Sequence, residues 1–415
     1  MQSIVCDRPY QFVPPRHGRW WPIILQNILP AYLKRSYGIE TVEIRGGEKL
    51  RASLGSGHGI LLAPNHSRPC DPMLMLLLAR ETGRPFFTMA SAHLFMNGGL
   101  QAWLLPRAGA FSVYREGMDR AAVSTAVDIL AAAERPLVLF PEGIVTRTND
   151  RLGYLQEGTA FIARSAAKKR SKAAGTAAAS AASSSNSRVV VHPVAIRYYF
   201  RGDIEAAVDD VLTEIEKRFS WRPQKELAPV DRIIKVGEAL LGLKEKEYLG
   251  AVESGTIADR LARLIDRILS PMEREWLGGK GFSDTSVVSR VKRLRAEIVP
   301  DLVGQELTEE DRAKRWRHLA DIYLVQQLSL YPPDYVASQP TPERILETIE
   351  RFEEDLTDNA RIHRPMEAVI EVGDAIEVSE ERATKGEPDP LMKKLEDELA
   401  RMLSARTREQ SSSTA

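Results

Sequence analysis

The strongest chemical signal in the chain is Asn65-His66-Ser67-Arg68-Pro69-Cys70-Asp71-Pro72. Imidazole is the side chain whose ordinary pKa lies closest to neutrality, and a carboxylate on one ring nitrogen fixes the tautomer and leaves the other nitrogen free to take a proton. His66 and Asp71 are five positions apart, about 140° around an ideal helix, so a continuous helix through both would turn them away from each other. Pro69 and Pro72 exclude that geometry, because each disfavours helix in the residue before it. The intervening turn can therefore fold Asp71 back onto His66. Such a pair is a general base that needs no serine or cysteine nucleophile, since a bound hydroxyl could attack directly. The same spacing also allows a simpler arrangement, in which Asp71 caps the helix beginning at Pro72 and His66 is a loop histidine.

The surrounding pattern indicates how such a pair would be held. Gly59-Ile-Leu-Leu-Ala63 reads as a short buried strand ended by Pro64-Asn65, which puts His66 at the carboxyl end of a strand, where α/β sheets build their sites. Thr41 to Arg45 alternates like a strand, and apolar runs recur at Pro85 to Met89, Ala110 to Tyr114, Leu137 to Phe140 and Val189 to Tyr199. Helical stretches lie between them at Pro72 to Arg80, Arg120 to Glu134 and Gly158 to Ala167. Strand–helix alternation predicts an α/β class fold, an α/β/α sandwich with a largely parallel mixed sheet. Residues 165–188, rich in Ala, Ser and Lys, read as a low-complexity surface insertion in that domain.

The domain is expected over residues 40–245, after an N-terminal interfacial helical segment at 1–39 and before a mostly helical C-terminal extension at 246–415. In the first segment, Arg16, Arg19, Trp20 and Trp21 precede Ile23, Ile24, Leu25, Ile28, Leu29 and Tyr32, with Lys34 and Arg35 beyond. That amphipathic pattern suits a helix lying in a lipid headgroup layer, or one that packs its tryptophans against the next domain. In the extension, helices are expected at Thr256 to Leu269, Ser286 to Ile298, Thr308 to Leu330 and Thr341 to Leu356, the last with Thr341 as cap and Pro342 at its first position. Ile233-Ile-Lys-Val-Gly-Glu-Ala-Leu and Val369-Ile-Glu-Val-Gly-Asp-Ala-Ile echo each other, each read as a strand, a Gly-acidic turn and a following helix.

Bulk composition narrows the function. The 415 residues are 43% hydrophobic and 27% charged, and Lys plus Arg equal Asp plus Glu at 57 each, so nothing in the charge points to nucleic acid. Two cysteines without a CxxC spacing fit a reducing compartment and neither a disulfide framework nor a zinc site. No D-x-D or H-E-x-x-H pattern suggests a metal. The longest apolar stretch, Met73 to Ala79, falls far short of the roughly 18 residues that would span a bilayer.

Four blocks then come in order: Asn65-His66 with Asp71; Gly109-Ala-Phe-Ser-Val-Tyr-Arg115; Phe140-Pro-Glu142-Gly143; and Val191-His-Pro193-Val-Ala-Ile196. In residues and spacing they resemble the glycerolipid acyltransferase family, whose members acylate 1-acyl-glycerol-3-phosphate. The likeness runs from about residue 15 to 245. It implies His66 as the base that deprotonates the acceptor hydroxyl, with Asp71 holding the imidazole. It further implies Arg115 on the acceptor phosphate, Glu142 and Gly143 shaping the acceptor site, and Pro193 near the acyl pocket. The donor would be acyl-CoA or acyl carrier protein, with no metal or bound cofactor. The implied setting is phospholipid biosynthesis by a cytoplasmic protein peripherally associated with the inner face of the membrane.

Two departures bear on the acceptor. Where the family continues Phe-Pro-Glu-Gly with Thr-Arg, this chain has Ile144-Val145, with Arg147 two residues on as a possible replacement; a usual Phe-Lys-x-Gly is Leu155-Gln156-Glu157-Gly158. Missing cations leave room for an acceptor other than lysophosphatidate, for instance another polar lipid, and a non-catalytic lipid-binding or scaffold relative is the alternative. His192 reads as a packed strand histidine, and His17, His58, His93, His318 and His363 show no partner spacing.

Overall fold

A computed structural model describes residues 8–177, 188–278, 286–304, 306–380 and 389–413. Contacts divide the described residues into two units: those within 11–201 and 364–413, and a helical unit within 202–363 together with 8–10.

In the first unit the elements run α1 (Trp20–Tyr37), β1 (Ile39–Arg45), α2 (Gly47–Gly55), β2 (Gly59–Pro64), α3 (Asp71–Thr82), β3 (Phe87–Ser91), α4 (His93–Met96), α5 (Gly99–Arg107), β4 (Ala110–Val113), α6 (Arg120–Ala132), β5 (Leu137–Val138), α7 (Gly158–Ala177) and β6 (Val189–Phe200). The helical unit then contributes α8 (Ile204–Arg218), α9 (Pro229–Leu249), α10 (Ile257–Leu277), α11 (Val287–Gly304), α12 (Glu309–Ser329), α13 (Tyr335–Ser338) and α14 (Pro342–Thr357). The chain returns to the first unit as β7 (Met366–Val372), β8 (Ile376–Glu377) and α15 (Pro390–Ser413).

The sheet order is β1-β7-β6-β2-β5-β3-β4, with β8 also paired to β6. Pairings are parallel except β6 with β7 and β6 with β8, so the sheet is mixed and largely parallel, as the alternation predicts. Every residue of β6 is buried, the mark of a strand covered on both faces, and its run of Val, Ile and Tyr suits that position. Helices α1 and α2 pack on α3, while α7 packs on α6 and α15. The second group closes over Leu61, Ala63, Phe111, Val189 and Val191 with Ala126, Ile129, Ala163, Leu395 and Leu399. In this strand order the usual right hand of crossovers assigns α3 to one face of the sheet and α6 and α7 to the other.

Three sequence expectations are corrected. Residues 246–415 are not a C-terminal extension. The helical unit begins at residue 202, well before 245, and is inserted between β6 and β7, strands that pair directly in an antiparallel register from Val194↔Val372 to Phe200↔Met366. The segment around Ile233 is not a strand but part of α9, where Ile233, Val236 and Leu241 are buried at helical spacing, while its echo at Val369 is β7. Finally, the helix before β6 does not end at Ala167. It continues to Ala177, because alanine is the best helix former and Ala163, Ala166 and Ala167 are buried. Lys169 pairs with Asp128 of α6 at 2.6 Å, and Arg170 donates to the Ala131 carbonyl at 2.7 Å. The remainder of the low-complexity segment, 178–187, lies outside the described residues.

The helical unit has its own core. Leu261, Leu264, Ile265, Ile268, Leu269 and Met272 of α10 meet Val291, Leu294 and Ile298 of α11 and Leu319, Ile322 and Val325 of α12. Thr341 caps α14 by accepting from the Arg344 N–H, with Pro342 at the helix's first position as expected.

Candidate active site

The loop leaving β2 is fastened before it reaches His66. Strand β6 runs six residues beyond the end of β2, so the backbone groups on that edge need other partners. Two asparagines supply them. Asn65 donates through Nδ2 to the Ile196 carbonyl (3.0 Å) and accepts the Ile196 N–H at Oδ1 (2.7 Å). Asn149 does the same for Tyr198, at 2.8 and 2.7 Å. Each carboxamide continues the ladder where a strand would have been, and each pins a site loop to β6.

With Asn65 fixed, the proline-bounded turn brings His66 and Asp71 together. Nδ1 of His66 lies 2.8 Å from Oδ2 of Asp71. The same carboxylate oxygen accepts the Arg68 N–H at 2.9 Å, and Oδ1 accepts the Tyr198 hydroxyl. Asp71 is fully buried at the first position of α3, where the helix dipole favours its charge. The cap position belongs to Cys70, whose side chain makes no capping bond, and the Asp71 carboxylate meets the histidine instead. The His66 ring lies 4.2 Å from the Phe140 ring, tilted by 31°. Among the described residues nothing bonds Nε2, and the side chain keeps 13% of its surface open to solvent.

Glu142 lies beneath this loop. It is buried; Oε1 accepts the His66 N–H at 2.6 Å and Oε2 accepts the Gly153 N–H at 2.7 Å. Burial pushes its carboxyl up to about 7, against the opposing pull of those two N–H donors. The His66 carbonyl takes the Thr146 N–H (2.8 Å) and hydroxyl (3.1 Å). Gly143, in the left-handed region at φ 71°, lies under Gln156, whose amide donates to the Glu142 carbonyl at 3.2 Å; a Cβ there would collide with that amide. A Cβ on Gly153 would sit 2.6 Å from Oε2 of Glu142. Glu142 therefore holds His66 by its backbone, and Gly143 leaves room for the Gln156 amide beside it.

The other candidates are more dispersed. Arg147, half-buried with φ 61°, directly follows Thr146 and so stands beside the His66 loop. Arg115 is exposed just past β4, three places along the sheet from β2, a span of about 14 Å at roughly 4.8 Å per strand. Pro193 is buried inside β6 at the point where that strand's partner changes from β8 to β7. Its carbonyl accepts the Gly373 N–H at 2.8 Å, and the gap in the ladder is what lets a proline sit in an interior strand. His192 is a packed histidine, as expected: Nδ1 donates to the Gly373 carbonyl (3.0 Å), Nε2 accepts from Ser53 (2.9 Å), and burial holds its pKa down.

Sequence reasoning did not pick out Asn149, Gly153, Thr146 or Tyr198, and gave Asn65 no task of its own. Asn65 adjoins His66, and Thr146 lies close behind the Phe-Pro-Glu-Gly block. Tyr198 carries no local signal, because only strand pairing brings it to Asp71. Among the described residues no group of three or more His, Cys, Asp or Glu side chains is arranged to hold a metal ion.

Residues 41–197 match a family model described as Acyltransferase. The chain is also 33% identical over 107 residues to a 1-acyl-sn-glycerol-3-phosphate acyltransferase of Streptococcus pneumoniae (strain ATCC BAA-255 / R6), an alignment covering 26% of this chain and 37% of the relative. The chain thus spans little more than a third of that relative's length. The matched segment reaches from β1 to β6 and contains all four sequence blocks, with the His66 loop in its first third. Residues 41–197 of this chain thus match the Acyltransferase family.

Proposed function

We propose that the protein transfers a fatty acyl chain from a thioester to a hydroxyl of a lysophospholipid, with His66 as the base and Asp71 as its partner. The observation that carries this reading is the 2.8 Å bond between His66 Nδ1 and a wholly buried Asp71, with Nε2 left unbonded. The acceptor hydroxyl gives its proton to Nε2 as its oxygen attacks the thioester carbonyl. Collapse of the tetrahedral species expels the thiolate, which takes the proton back from the imidazolium. The products are an ester and a free thiol, with no change of oxidation state. Cys70 is a poor nucleophile for a covalent route, because burial pushes its thiol up to about 12. General-base help of this kind contributes roughly 10²- to 10⁴-fold, and positioning supplies the rest.

Acyl-CoA and acyl carrier protein both fit as donor. A phosphate on the acceptor would be held by Arg147 and Arg115, planar cations suited to a bidentate grip; the relative's name supports 1-acyl-glycerol-3-phosphate as that acceptor. Ile144-Val145 ahead of Thr146-Arg147 favours a second acceptor class, another polar lipid.

Such substrates reside in membranes, and one face of α1 suits a lipid surface in phospholipid biosynthesis at the inner leaflet. Leu29 and Leu33 are buried, while Trp20, Ile23, Ile24, Ile28 and Tyr32 are exposed. Trp21 meets Trp103 of α5 edge-on at 4.9 Å, and exposed Leu100 and Trp103 extend the patch beside Arg16, Arg19 and Arg107. No helix among the described residues is long and apolar enough to cross a membrane. The deciding experiment is incubation of purified protein and of His66→Ala with acyl-CoA and a panel of lysolipids. Thiol release by the wild type alone is expected. Lipid binding without thiol release from any acceptor would leave a non-catalytic lipid-binding relative.

A further inference from the structure

Tyr198 is a buried polar group that the His66–Asp71 pair alone leaves unexplained. Its side chain is wholly buried on β6, its hydroxyl meets Oδ1 of Asp71, and the same hydroxyl lies 3.3 Å from Sγ of Cys70. The guanidinium carbon of Arg68 stands 5.3 Å from the centre of its ring. The directions of these bonds are set by chemistry. An ionised carboxylate only accepts, so the Tyr198 O–H donates to Asp71 and the Cys70 S–H is left to donate to the tyrosine oxygen. The other carboxylate oxygen receives the Arg68 N–H and His66 Nδ1. For the pair to bond, the imidazole proton must sit on Nδ1, which leaves the lone pair on Nε2.

We propose that Tyr198 is a positioning residue for His66: by holding Oδ1 it fixes the plane of the Asp71 carboxylate, and through it the tautomer and proton affinity of Nε2. This rests on the reading of His66 as the base. Burial, together with the charge of Asp71, holds the Tyr198 phenol protonated well above its ordinary range, so it remains a donor at every working pH. Asn149, bonded to both backbone groups of Tyr198, keeps the ring from shifting. A phenylalanine would fill nearly the same volume but leave Oδ1 buried without that donor. The negative charge would then concentrate on the oxygen facing His66, and the carboxylate would be freer to turn.

The test reads His66 directly, by long-range proton–nitrogen NMR of the histidine rings in the whole protein, with His66→Gln to assign its signal. In the wild type the Nδ1–H form is expected. In Tyr198→Phe the titration midpoint of His66 should rise by about half a pH unit or more, and kcat for acyl transfer should fall about tenfold with KM unchanged. Replacement of Tyr198 by 3-fluorotyrosine, a stronger donor of nearly the same shape, should move the midpoint the other way, and serves if the phenylalanine variant fails to fold. An unchanged midpoint and tautomer in either variant would overturn the proposal whatever the activity. A shifted midpoint in a protein whose wild type releases no thiol from any lysolipid would support the positioning chain while refuting His66 as an acyl-transfer base.

Discussion

Oε1 of Glu142 accepts the backbone N–H of His66 at 2.6 Å, so the carboxylate of the third block holds the residue of the first block by its main chain. The second oxygen accepts the Gly153 N–H, and both donors need an acceptor. Glu142→Gln would turn an amide NH₂ toward one of them. A buried donor without a partner costs about 1–3 kcal/mol, and misplacement of a base by about 1 Å costs around 10²-fold in rate. A fall in kcat of that order and a lower melting midpoint are expected; a variant within twofold of wild type would show that Glu142 does not hold the loop.

The same residue has a pH signature. Its carboxyl is held at about 7 in the fold against an ordinary 4.5. Between these values the folded protein binds more protons than the unfolded one, so this contribution to stability is complete below about 4.5 and is lost as pH rises through about 7. Urea midpoints measured at intervals from pH 5 to 8 should fall more steeply for the wild type than for Glu142→Gln. Parallel curves would mean that Glu142 does not titrate in this range.

His66→Ala should abolish thiol release while leaving acceptor binding nearly intact, since it removes help present only in the transition state. Asp71→Asn should lose at least about 10²-fold in kcat. An asparagine offers one oxygen to three donors: the His66 ring, the Arg68 N–H and the Tyr198 hydroxyl. Retained kcat in Asp71→Asn would remove the carboxylate from the mechanism.

For the acceptor, Arg147→Ala and Arg115→Ala should each raise KM for phosphate-bearing lysolipids with little change in kcat, because a phosphate is gripped alike in ground and transition states. Arg147 is next to the residue that bonds the His66 carbonyl, so its effect should be the larger, about tenfold or more. Steady-state kinetics with matched acceptors settles the point. Equal losses with and without the phosphate would exclude both arginines from holding it.

On the surface, Trp20→Ala combined with Trp103→Ala should weaken co-sedimentation with anionic vesicles by about tenfold or more, given roughly 1.5–3 kcal/mol for each large apolar side chain moved out of water. Circular dichroism should be unchanged, because both indoles are exposed. Undiminished vesicle binding would assign attachment to another surface.

The strand–helix alternation and the His66–Asp71 turn were legible in the sequence because their determinants are local. Two prolines within eight residues preclude a helix through the motif, and each apolar run is itself the strand. Features set by distant parts of the chain were not legible. The apolar run at Ile233 reads locally as a strand, and the burial of Ile233 and Val236 along α9 shows a helix instead. The return of the chain after residue 364 to place β7 between β1 and β6 depends on closing a large inserted unit, a long-range pairing that no window of sequence reports. The support beneath His66 has the same origin. Glu142 and Tyr198 meet the His66 loop across 76 and 127 positions of sequence, at His66 and Asp71 respectively. The pairing of His66 with Asp71 could thus be named from sequence alone. Which groups hold them in place was decided by the register of β6 against β2 and by the burial of Asp71 beneath it.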